Sequence, residues 1–229
     1  MVFGPSVRFQ RLNLKISIIT VCFNSEATIR DTIESVLSQS YSDVEYIIID
    51  GASSDGTMNI IEEYRNQTLK VFSEPDQGLW DAMNKGVSYA TGEYVCFLNS
   101  DDILFDQKVL GRLFDSLGYY DLIISPLKLY SWDFKNVIRK YPARELNIRN
   151  MKLGVMPPHP MSIVRRALFR ELNGFEYLLD VPPDFHFFLK LLKHGATVRY
   201  ESKDAVKMRV GGVSTNSWKV IYFRQCRIR

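Results

Sequence analysis

The apolar residues of the first hundred positions fall into short runs that alternate with helical patterns. The runs are rich in β-branched and aromatic residues and predict strands, and the segments between them carry apolar residues at helical spacing. Strands that alternate with helices in this way are typical of a parallel, doubly wound α/β sheet. Right-handed crossovers then place the carboxyl ends of these strands on one edge. The predicted strands of this half are 15–21, 44–49, 69–72 and 93–98.

The pattern is looser beyond residue 118. Short apolar runs at 120–125, 127–130, 161–164 and 196–200 predict further strands. A helix is predicted over 185–192, because Pro182-Pro183-Asp184 is a typical helix start before an apolar segment. Since no repeat, low-complexity tract or flexible linker divides the chain, we expect one domain over residues 1–229.

Polar side chains follow three of the predicted strands at their carboxyl ends, in the segments 20–24, 50–51 and 99–102. Ligands of open α/β sheets bind outside these strand ends, so a concave polar site is expected there. The amide and carboxylates of Asn99-Ser100-Asp101-Asp102 are hard ligands of the kind that Mg²⁺ or Mn²⁺ prefers. A simpler alternative stays open at this point: Asp50-Gly51 is a turn, and Asp101 and Asp102 open a helix predicted over 107–117.

Several nucleotide and hydrolase motifs are absent from the sequence. It contains no Gly-x-Gly-x-x-Gly dinucleotide motif, no P-loop and no Gly-x-Ser-x-Gly nucleophile elbow. A nicotinamide dehydrogenase, a P-loop NTPase and an α/β-hydrolase are therefore disfavoured.

Composition supports a globular protein, with 46% hydrophobic and 24% charged residues in 229. The longest predominantly apolar run, 16–23, is too short to span a membrane, and Arg8 and Arg11 lie where a signal peptide needs its apolar core. Three widely spaced cysteines predict reduced thiols. We expect a cytoplasmic protein.

The small net charge of +3 hides a division between the two halves. Residues 1–120 hold 9 Lys or Arg and 17 Asp or Glu, whereas residues 121–229 hold 20 and 9. Such asymmetry indicates that the halves face different partners. The end of the chain, 217–229, interleaves cations with aromatic and aliphatic residues, which favours binding to an anionic membrane surface. The alternative is a final helix packed on the domain with a solvated basic face.

Four stretches share the order and spacing of a known family. With these residues the chain resembles the family two glycosyltransferases, which have the GT-A type nucleotide-diphospho-sugar transferase fold, and most of all their bacterial polysaccharide and glycolipid branch. The resemblance implies a doubly wound, mostly parallel, Rossmann-like sheet, with residues 15–118 binding the nucleotide sugar and a looser acceptor half at 119–216. The stretches are 19–24, 49–57, 76–86 and 97–102.

The resemblance also implies residue roles. Asp101 would coordinate Mg²⁺ or Mn²⁺ on the diphosphate of a UDP-sugar, Asp184 would be the catalytic base, and His159 is a candidate acceptor ligand. Asp50 would accept a hydrogen bond from the uracil. The full set implied to hold the donor is Thr20, Val21, Phe23, Asn24, Glu26, Asp50, Asn84, Lys85, Asn99, Ser100 and Asp102.

The sequence departs from the family pattern in three places. Asn99 replaces the commoner first Asp of the metal motif, and Pro183 precedes Asp184 where an acid or a small residue is usual. The end of the chain lacks the Gln/Arg-x-x-Arg-Trp motif of processive synthases, so one sugar per encounter is expected. An alternative role for Asp184 is plain helix capping.

The predicted function is therefore inverting, non-processive transfer of a hexose from a UDP-sugar. The acceptor is a glycan or a lipid-linked glycan of a cell-surface polysaccharide pathway, such as O-antigen, capsule, exopolysaccharide or glycolipid. We expect no nucleic-acid partner, and a peripheral position at the inner face of the cytoplasmic membrane. Two alternatives remain: a catalytically weak sugar-nucleotide-binding or scaffold protein, and a sugar-1-phosphate nucleotidyltransferase. The second normally has a glycine-rich loop after the first strand, and residues 22–25 offer none.

Overall fold

A computed structural model describes residues 14–65, 68–114 and 119–211. The predicted basic tail at 217–229 lies outside these ranges. The strands are β1 Ile16–Cys22, β2 Val44–Asp50, β3 Leu69–Ser73, β4 Tyr94–Phe97, β5 Ile103–Leu104, β6 Leu122–Ile124, β7 Leu127–Tyr130, β8 Val137–Tyr141, β9 Ile163–Arg165, β10 Val198–Tyr200 and β11 Val206–Arg209. The helices are α1 Ile29–Leu37, α2 Thr57–Glu62, α3 Leu79–Tyr89, α4 Val109–Phe114, α5 Ile148–Lys152, α6 Arg166–Glu171 and α7 Pro183–His194.

Seven of the strands form one large sheet, in the order β10-β6-β9-β4-β1-β2-β3. The pairs β1–β2, β1–β4, β2–β3 and β6–β10 are parallel, and only β9 runs antiparallel to its neighbours β4 and β6. This mainly parallel sheet within an α/β chain confirms the predicted fold class. It takes strands from both sides of residue 119.

The central strands are apolar because both of their faces are covered. Ile18 and Ile48 belong to the core cluster that contains α1, and Ile19 and Ile47 belong to the cluster that contains α3 and α7. Helix α3 approaches β1 closely at Gly86, where a Cβ atom would lie 2.4 Å from the Ile19 side chain. A larger residue at this point would push the helix off the sheet.

The amino ends of the central strands are tied together by Glu45, which is only 3% exposed. Its carboxylate accepts hydrogen bonds from Lys70 Nζ and the Thr91 backbone N–H, both at 2.7 Å, and from the Ser17 hydroxyl. Burial by itself raises the pKa of Glu45, but the hydrogen bonds from Lys70, Ser17 and Thr91 outweigh burial and lower the pKa to about 2. Glu45 therefore stabilises the end of the sheet opposite the predicted site.

Four strands form a second, smaller sheet in the order β5-β11-β7-β8. Only β7 was predicted among them. Strand β5 has two residues, and β8 is exposed at four of its five positions, so neither shows the apolar alternation that identifies a strand. The short helices α5 and α6 were also missed. Those of the predicted helices and strands that the structure describes are present, with ends shifted by a few residues.

Candidate active site

The carboxyl ends of β1, β2, β3 and β4 lie side by side at one edge of the large sheet. Cys22 pairs with Asp50, Asp50 pairs with Ser73, and Ile19 pairs with Phe97. The Leu98 N–H continues the pairing by donating to the Ile19 carbonyl at 3.0 Å. The three polar segments that the sequence predicted at this edge are therefore neighbours in space.

Asp50 lies at the centre of this edge and is fully buried. One carboxylate oxygen accepts from the Ser53 N–H at 3.0 Å and the Ser73 hydroxyl at 2.7 Å. The other accepts from the Ser53 hydroxyl at 2.5 Å and the Cys22 thiol at 3.6 Å. The carboxylate thus organises the loop after β2, and a base N–H would have to share or replace one of these donors. The role of Asp50 as a uracil acceptor stays a prediction.

Phe23 is the exposed aromatic residue of this edge, with 63% of its surface accessible. A Cβ atom on Gly51 would lie 3.5 Å from the Phe23 ring and 2.6 Å from a carboxylate oxygen of Asp76. The absence of a side chain at Gly51 therefore leaves the ring face open beside Asp50. An exposed ring next to a polar group is suited to stack on a nucleobase.

Asn24 and Glu26 hold the loop after β1 against the loop after β2. Asn24, at a φ of 49°, accepts the Ser54 N–H on Oδ1 at 2.9 Å. Glu26 accepts the Gly56 N–H on Oε2 at 3.0 Å. Both residues thus shape the site through other residues, and their predicted contact with the donor remains a prediction.

The remaining predicted donor residues of β1 and α3 have partners inside the protein. Thr20 and Val21 are buried within β1, where the Thr20 hydroxyl accepts from the Tyr46 hydroxyl at 3.0 Å. Asn84 bonds both backbone groups of Phe175, donating to the carbonyl at 2.8 Å and accepting the N–H at 3.0 Å. Lys85 donates to the Pro75 carbonyl at 2.9 Å. The structure thus joins Asn84 to Phe175 rather than to Asp101. The contact of Asn84 with the donor stays a prediction.

The segment after β4 is anchored to the loop after β1 and to α1. The Ser100 hydroxyl lies 2.8 Å from the Ser25 hydroxyl, and the Thr32 hydroxyl donates to the carbonyls of Ser100 and Asp102 at 2.9 and 2.8 Å. Asn99 Nδ2 donates to Asp102 Oδ2 at 3.2 Å. Strand β5 follows at once, and α4 begins only at Val109. Asp101 and Asp102 therefore do not cap the next helix, so the predicted alternative of helix capping is wrong for these two residues.

The two carboxylates of this segment differ in their surroundings. Asp102 is buried, and its Oδ1 accepts the backbone N–H of Arg209 at 3.0 Å, whereas Asp101 is half-buried. Burial raises the pKa of both carboxyls, and the nearby charge of Asp101 raises the pKa of Asp102 further. The positive charge of Arg209 opposes both shifts. Asp102 thus holds the second sheet against the site, and Asp101 is the carboxylate with access to a ligand.

Arg209 is a site residue that the sequence did not reveal. Its side chain is 4% exposed, donates from Nη2 to Asp31 Oδ2 at 2.6 Å, and lies over the rings of Phe134 and Trp132 at 4.3 and 5.0 Å. Contacts with α1, the segment after β4 and the β7–β8 loop meet at this one residue, the second of them through its backbone N–H. Only a basic residue before Gly211-Gly212 marks the position in the sequence, and that signal is too weak to identify a site.

A divalent cation fits this edge through Asp101. Among residues 14–65, 68–114 and 119–211 there is no group of three or more His, Cys, Asp or Glu that could hold a metal. Mg²⁺ bound to a nucleotide needs only one or two carboxylates, because the phosphates and water supply its other ligands. The half-buried carboxylate of Asp101 meets that requirement, and Asp102 supports it from the interior.

Asp184 and His159 form the second part of the site. Asp184 is buried in the first turn of α7 and accepts the Phe185 N–H on Oδ1 at 2.9 Å, while the N-cap position belongs to Pro182. The His159 ring stacks on Phe97, the last residue of β4, with centroids 5.5 Å apart. Burial lowers the pKa of His159, and the negative charge of Asp184 acts in the opposite direction. His159 therefore contacts the end of β4 and is close enough to Asp184 for the charge of that carboxylate to act on it.

An aromatic cluster surrounds His159. Trp80 from α3 contacts its ring edge-on at 5.5 Å, and Phe175 does so at 5.3 Å. His159 Nε2 is buried and has no hydrogen-bond partner within the described parts of the chain. Because a buried polar atom is normally satisfied, this nitrogen is a candidate to bind a substrate hydroxyl.

The chain is similar in sequence to two named glycosyltransferases. The PGL/p-HBAD biosynthesis glycosyltransferase of Mycobacterium bovis is 29% identical over 188 residues, which cover 80% of this chain and 71% of the relative. The cholesterol galactosyltransferase of Borreliella burgdorferi is 40% identical over 90 residues, which cover 38% of this chain and 25% of that protein.

Solved structures share the fold. S. aureus TarS in complex with UDP-GlcNAc matches with a TM-score of 0.70 and 24% identity over 90% of this chain. The mannosyltransferase PcManGT from Pyrobaculum calidifontis, in complex with GDP-Man and Mn²⁺, matches with a TM-score of 0.66 and 20% identity, also over 90% of this chain. The chain spans 62% and 59% of these two structures.

The profile of glycosyl transferase family 2 matches residues 17–172, which include the four motif stretches. The match and the shared fold confirm the resemblance drawn from those stretches. The chain belongs to the glycosyl transferase family 2.

Proposed function

We propose that this chain transfers a hexose from a UDP-sugar to a glycan or lipid-linked acceptor, with inversion at the anomeric carbon and one sugar per encounter. The observation that carries the proposal is the meeting of three groups at one sheet edge: the Phe23–Asp50 loops, the Asp101 carboxylate, and Asp184 with His159. The relatives named for glycolipid-type products and the TarS complex with UDP-GlcNAc support the same substrate classes.

The donor would lie along the strand ends. The uracil would stack on Phe23 beside Asp50, and the diphosphate would extend toward the segment after β4. Asp101 would hold Mg²⁺ or Mn²⁺, which supplies positive charge to the departing diphosphate. Asp102 would remain an interior support, because its oxygens already bond Asn99 and the Arg209 N–H.

Asp184 would take the proton of the acceptor hydroxyl. A sugar hydroxyl is a weak nucleophile until a carboxylate removes its proton. Attack from the side opposite the leaving diphosphate then inverts the anomeric centre, by the stereochemical logic that also separates the glycosidase classes. His159 Nε2, unpartnered within the described residues, would hold another hydroxyl of the acceptor.

A donor screen tests this function directly. Thermal shift measured with UDP-, GDP- and dTDP-sugars, each with and without Mn²⁺, should show stabilisation by a UDP-sugar that increases with the metal. The selected donor should then release UDP when acceptor extracts are added. Donor binding without any UDP release would instead favour the sugar-nucleotide-binding or scaffold alternative.

The metal role of Asp101 has its own test. Asp101→Ala should remove the Mn²⁺-dependent part of UDP affinity in calorimetry and abolish transfer, because Asp102, the other carboxylate of the segment 99–102, is buried and bonded inside the protein. Asp43→Ala is the matched control, since Asp43 precedes β2 at the opposite end of the sheet. Unchanged Mn²⁺ dependence in Asp101→Ala would exclude this residue as the metal ligand.

We further propose that the protein acts as a peripheral protein at the inner face of the cytoplasmic membrane. Within the described residues no helix is both long and apolar enough to cross a membrane. The interleaved cations and aromatic residues of 217–229 support surface binding. Release from acidic liposomes by about 0.5 M salt would be expected, because the Debye length then falls to about 4–5 Å.

A further inference from the structure

One face of the second sheet carries cations and exposed aromatic and aliphatic residues. We call it the basic–aromatic face. Its members come from β7, β8, β11 and the loops beside them, and the donor site uses none of them. They are Phe105, Lys128, Trp132, Ile138, Lys140 and Lys207.

Three lysines stand in register across three neighbouring strands of this face. Lys207 in β11 pairs with Lys128 in β7, and Lys128 pairs with Lys140 in β8. Like charges directly opposite each other destabilise a sheet. Asp204 neutralises Lys128 at 2.7 Å, but Lys140 and Lys207 make no ion pair with any residue in the described part of the chain. The row therefore retains unpaired positive charge that an anionic partner would offset.

On β7 and β11 the opposite face of this sheet is buried. Val206, Leu127 and Leu129 alternate with the lysines along β11 and β7 and are at most 7% exposed. The sheet is thus amphipathic in the usual sense, with one face in the core and the other toward the surroundings. The three lysines consequently lie on the outward face of regular, paired strands.

Apolar groups accompany the cations on the outward face. Trp132 is 53% exposed and Ile138 is 55% exposed, and Ile138 lies two residues before Lys140, at the register shift between β7 and β8. Phe105 lies under two ammonium groups, at 5.1 Å from Lys128 Nζ and 5.3 Å from Lys207 Nζ. A tryptophan and an isoleucine that flank cations are the groups that enter the interfacial layer of a bilayer.

The basic–aromatic face borders the candidate active site. Arg209 is two residues after Lys207 on the same side of β11, and its backbone N–H bonds Asp102 at 3.0 Å. Trp132 covers the Arg209 guanidinium at 5.0 Å. A partner bound to the basic–aromatic face would therefore lie next to the segment after β4.

We propose that the basic–aromatic face binds an anionic bilayer, with the lysine row at the lipid headgroups and Trp132 and Ile138 in the interfacial layer. Lipid phosphates offset the charge of Lys140 and Lys207, and an extended surface suits a row of cations better than one small ion does. A second copy of the chain fits poorly, because a symmetric contact would place lysine against lysine. The proposal rests on the peripheral membrane position proposed above and names a surface for it, and it does not depend on the donor chemistry.

Vesicle co-sedimentation tests the proposal on the full chain. The wild type should bind vesicles containing about one third phosphatidylglycerol, and should bind pure phosphatidylcholine far less. Lys140→Gln with Lys207→Gln should lower the partition coefficient roughly thirtyfold, since each cation near such a surface contributes about fivefold. Trp132→Ser with Ile138→Ser should also weaken binding, and that loss should persist in high salt because it is apolar.

A charge-matched pair elsewhere provides the control. Lys152 and Lys193 are exposed on α5 and α7, and Lys152→Gln with Lys193→Gln should change the partition less than about threefold. UDP affinity should be unchanged in both lysine-pair variants, so a failure of the proposed donor would be seen separately. The proposal is overturned if the two lysine pairs behave alike, if the wild type ignores acidic vesicles, or if Lys140→Gln with Lys207→Gln changes the oligomeric state instead.

Discussion

At the residue scale, the site divides into residues that face a ligand and residues that hold others in place. Phe23 and Asp101 are accessible, whereas Asp50 and Asp102 are buried and bonded to their own loops. The sequence could predict these positions, because each follows a strand whose apolar run ends abruptly. It could not predict Arg209, because the contact with Asp102 joins positions 107 residues apart and depends on a sheet that leaves little trace in the pattern.

Asp184→Asn tests the base. The amide keeps the size of the side chain and can still accept the Phe185 N–H, but it cannot take a proton. Turnover should fall by about 10²–10⁴-fold, with donor affinity nearly unchanged, as measured by UDP release and calorimetry. Asp180→Asn, an exposed acid in the preceding loop, should keep full activity. If Asp184→Asn retains more than about a tenth of turnover, another group is the base.

Arg209→Met tests the link between the second sheet and the site. Loss of the ion pair with Asp31 and of the two ring contacts should lower the free energy of unfolding by about 1–3 kcal/mol. Mn²⁺-dependent UDP affinity should fall as well, because the ion pair with Asp31 and the ring contacts hold the end of β11, whose backbone N–H bonds Asp102.

Arg165→Met is the matched control for this variant. Arg165 also forms an ion pair with an acid, Asp121 at 3.2 Å, and its guanidinium lies over a ring, Tyr119 at 5.1 Å. In the sheet, however, Arg165 is the strand partner of Tyr94, at the other end of β4. Arg165→Met should lower the free energy of unfolding by a similar amount and leave UDP affinity unchanged. Equal loss of UDP affinity in both variants would mean that Arg209 acts only through general stability.

At the element scale, prediction succeeded where an element is long and buried. Strands β1 and β2 have seven residues each, and β4 is buried throughout, so their apolar runs are clear in the sequence. Strand β11 is short and has two half-exposed residues between two buried ones, and β8 has no buried residue at all. Their pairing is decided by distant partners, which local pattern cannot supply.

The pH dependence of stability follows from Glu45 in β2. The pKa of this carboxyl falls from 4.5 to about 2 on folding, so its contribution is complete above about pH 4.5 and is lost as pH falls toward 2. Glu45→Gln should cost on the order of 3 kcal/mol near pH 7. In urea titrations the difference from wild type should narrow by about 1 kcal/mol between pH 6 and pH 3.5. A difference that stays constant with pH would show that the charge of Glu45 is not the cause.

At the scale of the whole molecule, the two halves that differ in charge share one sheet. Strands β1 to β4 come from the acidic half, and β6, β9 and β10 come from the basic half. The charge division was visible in the sequence, whereas the shared sheet was not, because the insertion of β9 beside β4 has no local signature. The division at residue 118 into a donor half and an acceptor half stays a prediction about function, and the shared sheet shows that the two halves are not separate folding units.

Residues 1–118 expressed alone should not form a stable domain. Without β9, strand β4 loses a neighbour, and Phe97 and Val95 lose the packing supplied by Val164 and Phe175. Circular dichroism and urea unfolding should show no cooperative transition, in contrast to the full chain. A cooperative transition with native-like UDP affinity in the fragment would show that the donor half folds independently.

The antiparallel strand β9 also determines when the large sheet can be completed during synthesis of the chain. Strand β4 ends at residue 97 and its neighbour β9 begins at residue 163. A ribosome adds about 5–20 residues per second, so the apolar edge of β4 stays unpaired for roughly 3–13 seconds while the intervening residues emerge. Unpaired edges recruit other strands, and nascent chains on one messenger carry identical edges. Chaperone supply and translation speed should therefore govern the yield of this protein in cells more strongly than the stability of its finished fold.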